Sequence, residues 1–445
     1  MWNNIKTFWQ KEKLICIIAL ISVIASLVYS FGYRIRPAVD AFAYDQVGWH
    51  LATGQGFRLD LAAPLIQDEA ITYQGPLYQF FIAGLYWLFG HHYEAIWIAQ
   101  ALLRGLSVII LFLLCREIFG SEQRQIGWIA GTIFGLHPDL VEISAMLMTE
   151  TVFIFLSILL VYVIVRFENG MNIKRAMLLG IIFAAAVLAR STIGILGLVI
   201  AWLCYRQRAW KPFIVFVMIG GLLMTPWIVR NYRTYHIFLP TMANFGYNFW
   251  VGNRIDADGE GGNPQVLLDA IKEKGAIEAN YYALAQFKTF IKAHPLQYLK
   301  LTGSRVLKYF SPLRPMGFWF YQKGIGQLIF VTSSALTALI LFITSFAGLG
   351  IAWQEERQNI RLRVVGITAL LTCLSIVLIL VETRYRLPIY PFLAVFSGLA
   401  AQRLLQNWQQ YKIYLIKAFA VVGAIMVWDV ALEYDKVIEK LRGMF

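Results

Sequence analysis

Asp40 and Tyr44 stand four residues apart behind Pro37, in the run Arg36-Pro37-Ala38-Val39-Asp40-Ala41-Phe42-Ala43-Tyr44-Asp45. If Pro37 introduces a helix, the two share one face. Asp45 then falls about 140° away, at 3.6 residues per turn. A carboxylate so placed can serve as general base for a hydroxyl. It can also cap the helix expected over 41–52. On loop chemistry alone capping is the stronger reading. A second acid, Glu150, follows Met148-Thr149 and opens another helix. Helix-dipole complementarity explains a first-turn Glu by itself; positioning an acceptor or supporting a base is the chemical alternative.

Arginines cluster at three turns: Arg190-Ser191-Thr192, Pro226-Trp227-Ile228-Val229-Arg230-Asn231-Tyr232-Arg233, and Glu382-Thr383-Arg384-Tyr385-Arg386-Leu387-Pro388. The guanidinium fork matches phosphate oxygens. An arginine snorkelling to a lipid interface is the bland reading. Trp227 sets Arg230 near headgroup depth, so Arg230, with Arg190 or Arg384 opposite, is expected to hold a phosphate. Tyr44, Asp45, Tyr73, Arg104 and Arg386 are candidate substrate contacts, and Arg386 and Arg233 are also open to a peripheral or structural role. Other patterns carry less. Asp256-Ala257-Asp258-Gly259-Glu260 lacks the distal acid of a calcium loop and reads as a turn. His91-His92 is a poor chelate and reads as a solvated turn. Gly54 and Gly56 lack the strand-turn-helix context of a dinucleotide site. No metal or other cofactor is expected.

These residues need a scaffold, and composition names its class. The 445 residues are 59% hydrophobic and 15% charged, against about 45–50% and about 25% for soluble domains. Mean hydropathy is +0.60. Both a soluble globule and a disordered chain are excluded. Apolar runs at 14–32, 95–115, 126–143, 150–166, 176–190, 193–205, 212–228, 326–352, 364–381, 388–405 and 412–430 predict about eleven transmembrane helices. The run 76–90 is short for a crossing. With Lys6, Lys11 and Lys13 inside, treating 76–90 as a juxtamembrane outer helix keeps the basic turns Arg116 to Arg124, Lys174-Arg175, Arg206 to Lys211, Arg357 to Arg363 and Arg403 to Lys412 on the inner side. Letting it cross would flip them all, against the positive-inside rule. The net charge of +13 therefore speaks first of inner turns, and no nucleic-acid partner is expected. The four cysteines fall in or beside apolar runs and read as free thiols.

The expected organisation is an N-terminal transmembrane catalytic module over 1–228, with outer loops 33–94 and 144–150, an outer loop over 229–325, and C-terminal transmembrane helices over 326–445. The loop 229–325 carries twelve Lys/Arg against six Asp/Glu. Helix starts near Pro264 and Pro295 and the spacing of Leu296, Tyr298, Leu299, Leu301, Val306, Leu307 and Phe310 predict basic amphipathic helices at the membrane surface. Ionisable groups within spans are few, Arg104 being the main one, which disfavours an ion-coupled carrier.

The order and spacing of several motifs resemble the polytopic GT-C glycosyltransferases, among them bacterial relatives of the dolichyl-phosphate-mannose protein mannosyltransferases and the lipid A aminoarabinose transferases. They are Asp40-x-x-x-Tyr44, Leu51-Ala52-Thr53-Gly54-Gln55-Gly56-Phe57, Gly75-Pro76-Leu77-Tyr78, Arg116-Glu117-Ile118-Phe119-Gly120, Met148-Thr149-Glu150 and Leu188-Ala189-Arg190. Pro226 to Asn231, Gly246 to Asn253 and Arg384 to Pro388 complete the series. Two positions depart from the pattern: Ala41 stands where mannosyltransferases carry a second acid, and Gly75 where the aminoarabinose branch often carries Lys. The resemblance implies an all-α multi-pass enzyme of the plasma (inner) membrane, its site facing the periplasm or cell exterior. It implies a hexosyl or pentosyl group moved from a polyprenyl-phosphate donor to an acceptor hydroxyl with inversion, without metal, the acceptor being a lipid, glycan or protein. Asp40 would be the base, supported by Glu150. A non-enzymatic transporter or flippase of lipid-linked sugars is the alternative class.

Overall fold

The computed structural model describes residues 12–73, 75–262, 265–314, 324–432 and 434. Lys6, Lys11 and Pro264, used in the expectations above, lie outside them. The described residues form a helical bundle, and their one strand-like pairing is an isolated parallel bridge between Glu260 and Val381.

The chain rises in α1 (Lys13–Tyr33), crosses the top in α2 (Asp40–Ala52) and α3 (Leu77–Phe89), and descends in α4 (Tyr93–Phe119). It returns through α5 (Arg124–Gly135) and the short α6 (Pro138–Ser144), descends in α7 (Glu150–Arg166) and rises in α8 (Ile173–Ala189). Next, α9 (Leu196–Arg206) goes down and α10 (Trp210–Tyr235) goes up. Four helices follow at the top: α11 (Phe245–Val251), α12 (Gln265–Lys274), α13 (Ala276–Ala293) and α14 (Pro295–Phe310). Finally α15 (Ile325–Glu355), α16 (Ile360–Val377), α17 (Tyr390–Gln406) and α18 (Trp408–Leu432) alternate down and up.

Contacts between helix ends fix this alternation. At the top, Arg34 meets Glu94 at 2.6 Å and Arg314 meets Asp429 at 2.9 Å. At the bottom, Arg206 meets Glu168 at 3.1 Å, Arg361 donates to the Glu117 carbonyl at 2.6 Å, and Arg403 meets Glu355 at 2.9 Å. Both ends of α3 stay beside α2. Tyr78 packs edge-on to Tyr44, while Tyr86 and His91 reach Asp45. Residues 76–90 therefore remain at the top, as charge required.

Among the described residues six helices are long and apolar enough to cross a membrane, namely α1, α4, α10, α15, α16 and α18. Among the remaining expected spans, 126–143 is divided between α5 and α6, and 193–205 between the turn Ser191–Ile195 and α9. The other three coincide with α7, α8 and α17, of 17 residues each, a length of about 25 Å. Local chemistry sets several boundaries. Asn172 and Asn359 cap α8 and α16 by accepting from Arg175 N and Leu362 N, and Pro138, Pro295 and Pro391 occupy first-turn positions. Small residues let the central helices meet closely. A Cβ at Gly348 would lie 2.0 Å from the Phe396 carbonyl oxygen, and one at Gly398 would lie 2.4 Å from that of Ile126. That is how α15 and α5 come against α17. The bundle is thus a multi-pass membrane scaffold that delivers the connections after α1, α6, α8, α10 and α16 to one face.

Candidate active site

Asp40 is the first residue of α2. Val39 precedes it at φ 52°, a conformation a β-branched residue holds only when its surroundings impose it. The Asp40 side chain caps nothing; its Oδ2 accepts from Arg384 Nη2 at 2.6 Å. The capping reading is thereby replaced. A distant guanidinium claims the carboxylate that the local backbone leaves alone. Arg384 lies in the 3-10 turn Thr383–Ile389 between α16 and α17. Its Nε donates to Glu382 Oε2 at 3.0 Å, so one arginine holds two carboxylates.

Glu150 opens α7 and is fully buried. Its Oε1 accepts from Arg190 Nη2 at 2.5 Å, while Arg190 Nε donates to Thr149 Oγ1 at 3.2 Å. The first-turn position still suits the helix dipole, yet a buried charge of this kind survives only because its partner is buried with it. Tyr385 joins the two pairs. Its ring lies 5.6 Å from the Arg190 guanidinium and 5.2 Å from that of Arg384, within cation–π range.

Tyrosines wall this cluster. Tyr44 is buried between Tyr73 and Tyr78, its ring edge-on to both. Burial, then the charge of Asp40, pushes its phenol well above the ordinary value. Burial with Asp40 and Glu69 raises Tyr73 to about 12, and burial with Asp40, Glu69 and Glu382 raises Tyr247 to about 12. These hydroxyls remain donors at neutral pH. Burial works against the Arg384 charge, but Tyr385, Asp40 and Glu382 outweigh it and hold the guanidinium protonated. Glu382 goes the other way. Burial raises its carboxyl above the usual range, Arg384 draws it back, and Asp40 raises it again.

Several expected contacts lie elsewhere. Arg230 shares no side-chain partner with Arg190 or Arg384. It donates to the Phe57 carbonyl at 3.2 Å and sits over the rings of Phe57, Trp227 and Tyr235. Asp45, on the other face of α2, accepts from Tyr86, from Tyr93 at 3.1 Å and meets His91 Nε2 at 2.9 Å. His91 also stacks on Trp49, so it is neither a chelating residue nor a free turn. Arg104 is buried in the bundle against Ser22 Oγ and the Gly135 carbonyl. Arg386 is buried against the Ser311 and Arg314 carbonyls. Helix α14 buries Arg305 and Lys308 and exposes Leu296 and Leu299, because its cations meet acceptors on neighbouring segments. Arg305 donates to the Ile379 carbonyl and to Asn253 Oδ1, and Lys308 meets Glu260. The Asp256–Glu260 stretch is a turn, with Asp258 Oδ1 accepting from Glu260 N.

Glu382, Tyr385 and Tyr247 complete the cluster without having been named as site residues. The first two flank Arg384 in sequence, which was the available signal; nothing near Tyr247 in sequence points to Asp40. Beside Phe153, whose ring lies 5.6 Å from the Arg190 guanidinium, a small apolar cavity of about 10 Å³ lies among Thr192, Leu196, Thr372, Pro388 and Phe392. Among the described residues no group of three or more His, Cys, Asp or Glu is disposed to hold a metal ion. The arrangement as it stands can position a hydroxyl against a carboxylate and an anion against guanidinium.

A model of the dolichyl-phosphate-mannose-protein mannosyltransferase family matches residues 73–229. The matched segment contains Tyr73, Glu150 and Arg190, and stops short of Asp40 and Arg384. No curated protein matches the sequence. Among solved structures, ArnT from Cupriavidus metallidurans bound to undecaprenyl phosphate is similar over 94% of this chain and 64% of its own, at 15% identity and a TM-score of 0.54. AglB, an oligosaccharyltransferase from Archaeoglobus fulgidus solved with an inhibitory peptide and a dolichol-phosphate, is similar over 95% of this chain and 56% of its own, at 11% identity and a TM-score of 0.51. The apo Archaeoglobus fulgidus oligosaccharyltransferase aligns over the same shares, at 13% identity and a TM-score of 0.53. The chain thus spans less than two thirds of the length of these structures. In sequence over 73–229 and in fold over nearly all its length, it resembles the GT-C glycosyltransferases.

Proposed function

We propose that this protein is a membrane glycosyltransferase that moves a sugar from a polyprenyl-phosphate donor to an acceptor hydroxyl at the outer face of the membrane. The observation that supports this most is the pair formed by Asp40 and Arg384, 2.6 Å apart, beside the buried pair of Glu150 and Arg190. The donor phosphate binds Arg384, with Arg190 close by. Phosphate at Arg384 loosens its hold on Asp40 and leaves that carboxylate free to accept a proton. The acceptor oxygen then attacks the anomeric carbon, its proton passes to Asp40, and the bond from that carbon to the phosphate oxygen breaks. One displacement inverts the anomeric configuration. Arginine charge stabilises the departing phosphate, so no metal is required. Glu150 holds Arg190 in place, and Tyr44 and Tyr73 donate to the sugar or its acceptor.

Transfer is tested with purified protein in lipid nanodiscs, radiolabelled polyprenyl-phosphate sugars and an extract of envelope acceptors. Labelled acceptor must appear with wild type and vanish with Asp40→Asn. A carrier would instead move intact donor between leaflets, and undiminished transfer by Asp40→Asn would refute the base. The orientation is tested by labelling single cysteines at Glu122 and Glu260. Labelling of both from one side would break it.

A further inference from the structure

The pocket carries more negative than positive charge. Three carboxyls, Asp40, Glu150 and Glu382, face two guanidiniums, Arg190 and Arg384. Glu69 lies farther out beside Tyr73 and Tyr247, with Asp68 and Lys272 near it. An entering lipid phosphodiester adds another negative charge to a partly buried site, where like charges repel more strongly than in bulk solution. Two arginines alone do not make this pocket attractive to an anion.

Glu382 is the surplus carboxyl. Glu150 has Arg190 and Thr149 to itself. Glu382 has only the Nε edge of an arginine whose Nη2 already serves Asp40. The groups acting on it are Arg384 and Tyr385 from its own turn, Asp40 from α2, Glu150 from α7 and Tyr247 from α11. The backbone of the 258–262 loop closes over it, since a Cβ at Gly261 would lie 2.1 Å from Glu382 Oε1. The other acid there, Glu260, is neutralised by Lys308 at 2.9 Å and by Arg314. When a phosphate competes for Arg384, Glu382, half-buried under this loop, loses its one cationic partner.

We propose that Glu382 takes up one proton from solvent as the phosphate of a lipid carrier enters beside Arg384, so that ligand and proton bind together. This rests on the donor reading above. The proton stays on Glu382 while phosphate occupies Arg384 and returns to solvent on release. The raised carboxyl of Glu382 in the empty pocket is consistent with this. The sign follows. Below the empty-pocket pKa, Glu382 is already protonated and affinity is flat. Above it, each ligand must bring a proton, and affinity falls as pH rises.

The test uses the full chain in nanodiscs with EDTA, and methyl undecaprenyl phosphate, a phosphodiester whose single charge does not titrate near neutrality. Its Kd is measured between about pH 5 and pH 9, where linkage predicts weakening of up to tenfold per pH unit above the Glu382 pKa. Glu382→Gln should bind tightly with no slope. Should that variant fold poorly, calorimetry on the wild type in buffers of different ionisation enthalpy should count about one proton taken up per ligand near pH 8. A flat wild-type profile, a slope retained by Glu382→Gln, or no proton uptake would overturn the proposal. Tight binding restored at high pH by magnesium would overturn it too, by showing that a cation supplies the missing charge. Complete failure to bind at any pH would sink the donor reading itself, whereas binding without a slope would sink only the proton.

Discussion

Arg384 and Arg386 stand two residues apart in one turn and do opposite work. Arg384 spends its donors on carboxylates, Asp40 and Glu382, and its side chain and that of Asp40 keep 13% and 26% of their surface. Arg386 is sealed, with 1% of its side chain exposed against 0% for Asp139 at 3.9 Å, and it donates to two backbone carbonyls of the 311–314 segment. Ser334 closes the other side of Asp139. A carboxylate partner near the surface can be exchanged for an incoming anion; two carbonyls in a dry interior cannot. The first arginine therefore suits the proposed phosphate site, while the second pins the top of α15 and the 311–314 segment to the turn that presents Arg384.

The largest effect expected from this division is chemical. Asp40→Asn removes the base while keeping its size and a hydrogen-bonding oxygen for Arg384. Transfer should fall by about 10²–10⁴-fold, the usual worth of a positioned base, with thermal unfolding in detergent nearly unchanged. A parallel loss of stability would show that the Asp40 pair is as structural as the Asp139 pair.

Arg386→Ala should reverse the pattern. Removing one partner of a buried pair strands the other, at a cost of about 3–5 kcal/mol. Unfolding should move to clearly lower temperature, and any folded fraction should retain its donor affinity. Arg384→Ala comes next. One charge-assisted hydrogen bond is worth about 1.5–3 kcal/mol, so donor affinity should weaken by roughly ten- to a hundredfold. Lys at 384 should recover only part of this, because an ammonium cannot span Asp40 and Glu382 as the fork does. Full recovery by Lys would mean that charge alone matters there.

Part of this geometry was legible in the sequence, and the limits are physical. Helical geometry alone separated Asp40 from Asp45 by about 140°, and the structure sends one to Arg384 and the other to a tyrosine–histidine nest. Basic turns correctly kept 76–90 on the face that bears Asp40. What could not be read was which arginine meets which acid. The pairing of Asp40 with Arg384 spans 344 residues, and neither local spacing nor helix propensity carries information over that distance. Arg384 and Arg386 look alike in sequence because only the folded surroundings decide whether a guanidinium meets carboxylates or carbonyls. The apolar rhythm of α14 likewise hid Arg305, whose burial depends on carbonyls contributed by residues 252 and 379.

Arg230 gives the smallest expected effect and the sharpest check on the comparison. Its Trp227 neighbour and turn position made it the leading phosphate ligand in sequence terms. Its actual partners are a backbone carbonyl, the Asn231 and Tyr235 side chains, and three aromatic rings. Leu188 and Trp227 pack in the same small cluster, so the guanidinium ties the 57–59 segment of the outer loop to the top of α10. That makes it akin to Arg386, though on a partly open surface where the interactions are weaker. Arg230→Ala should therefore change donor affinity by less than about threefold, under 1 kcal/mol. Loss of its ring contacts should lower stability by about 0.5–2 kcal/mol. Parallel titrations of Arg230→Ala and Arg384→Ala with the same phosphodiester decide the matter. Equal losses would place Arg230 on the donor's path and extend the phosphate site along α10, while a loss confined to Arg384→Ala would leave the acid-bound arginine as the one that carries the ligand.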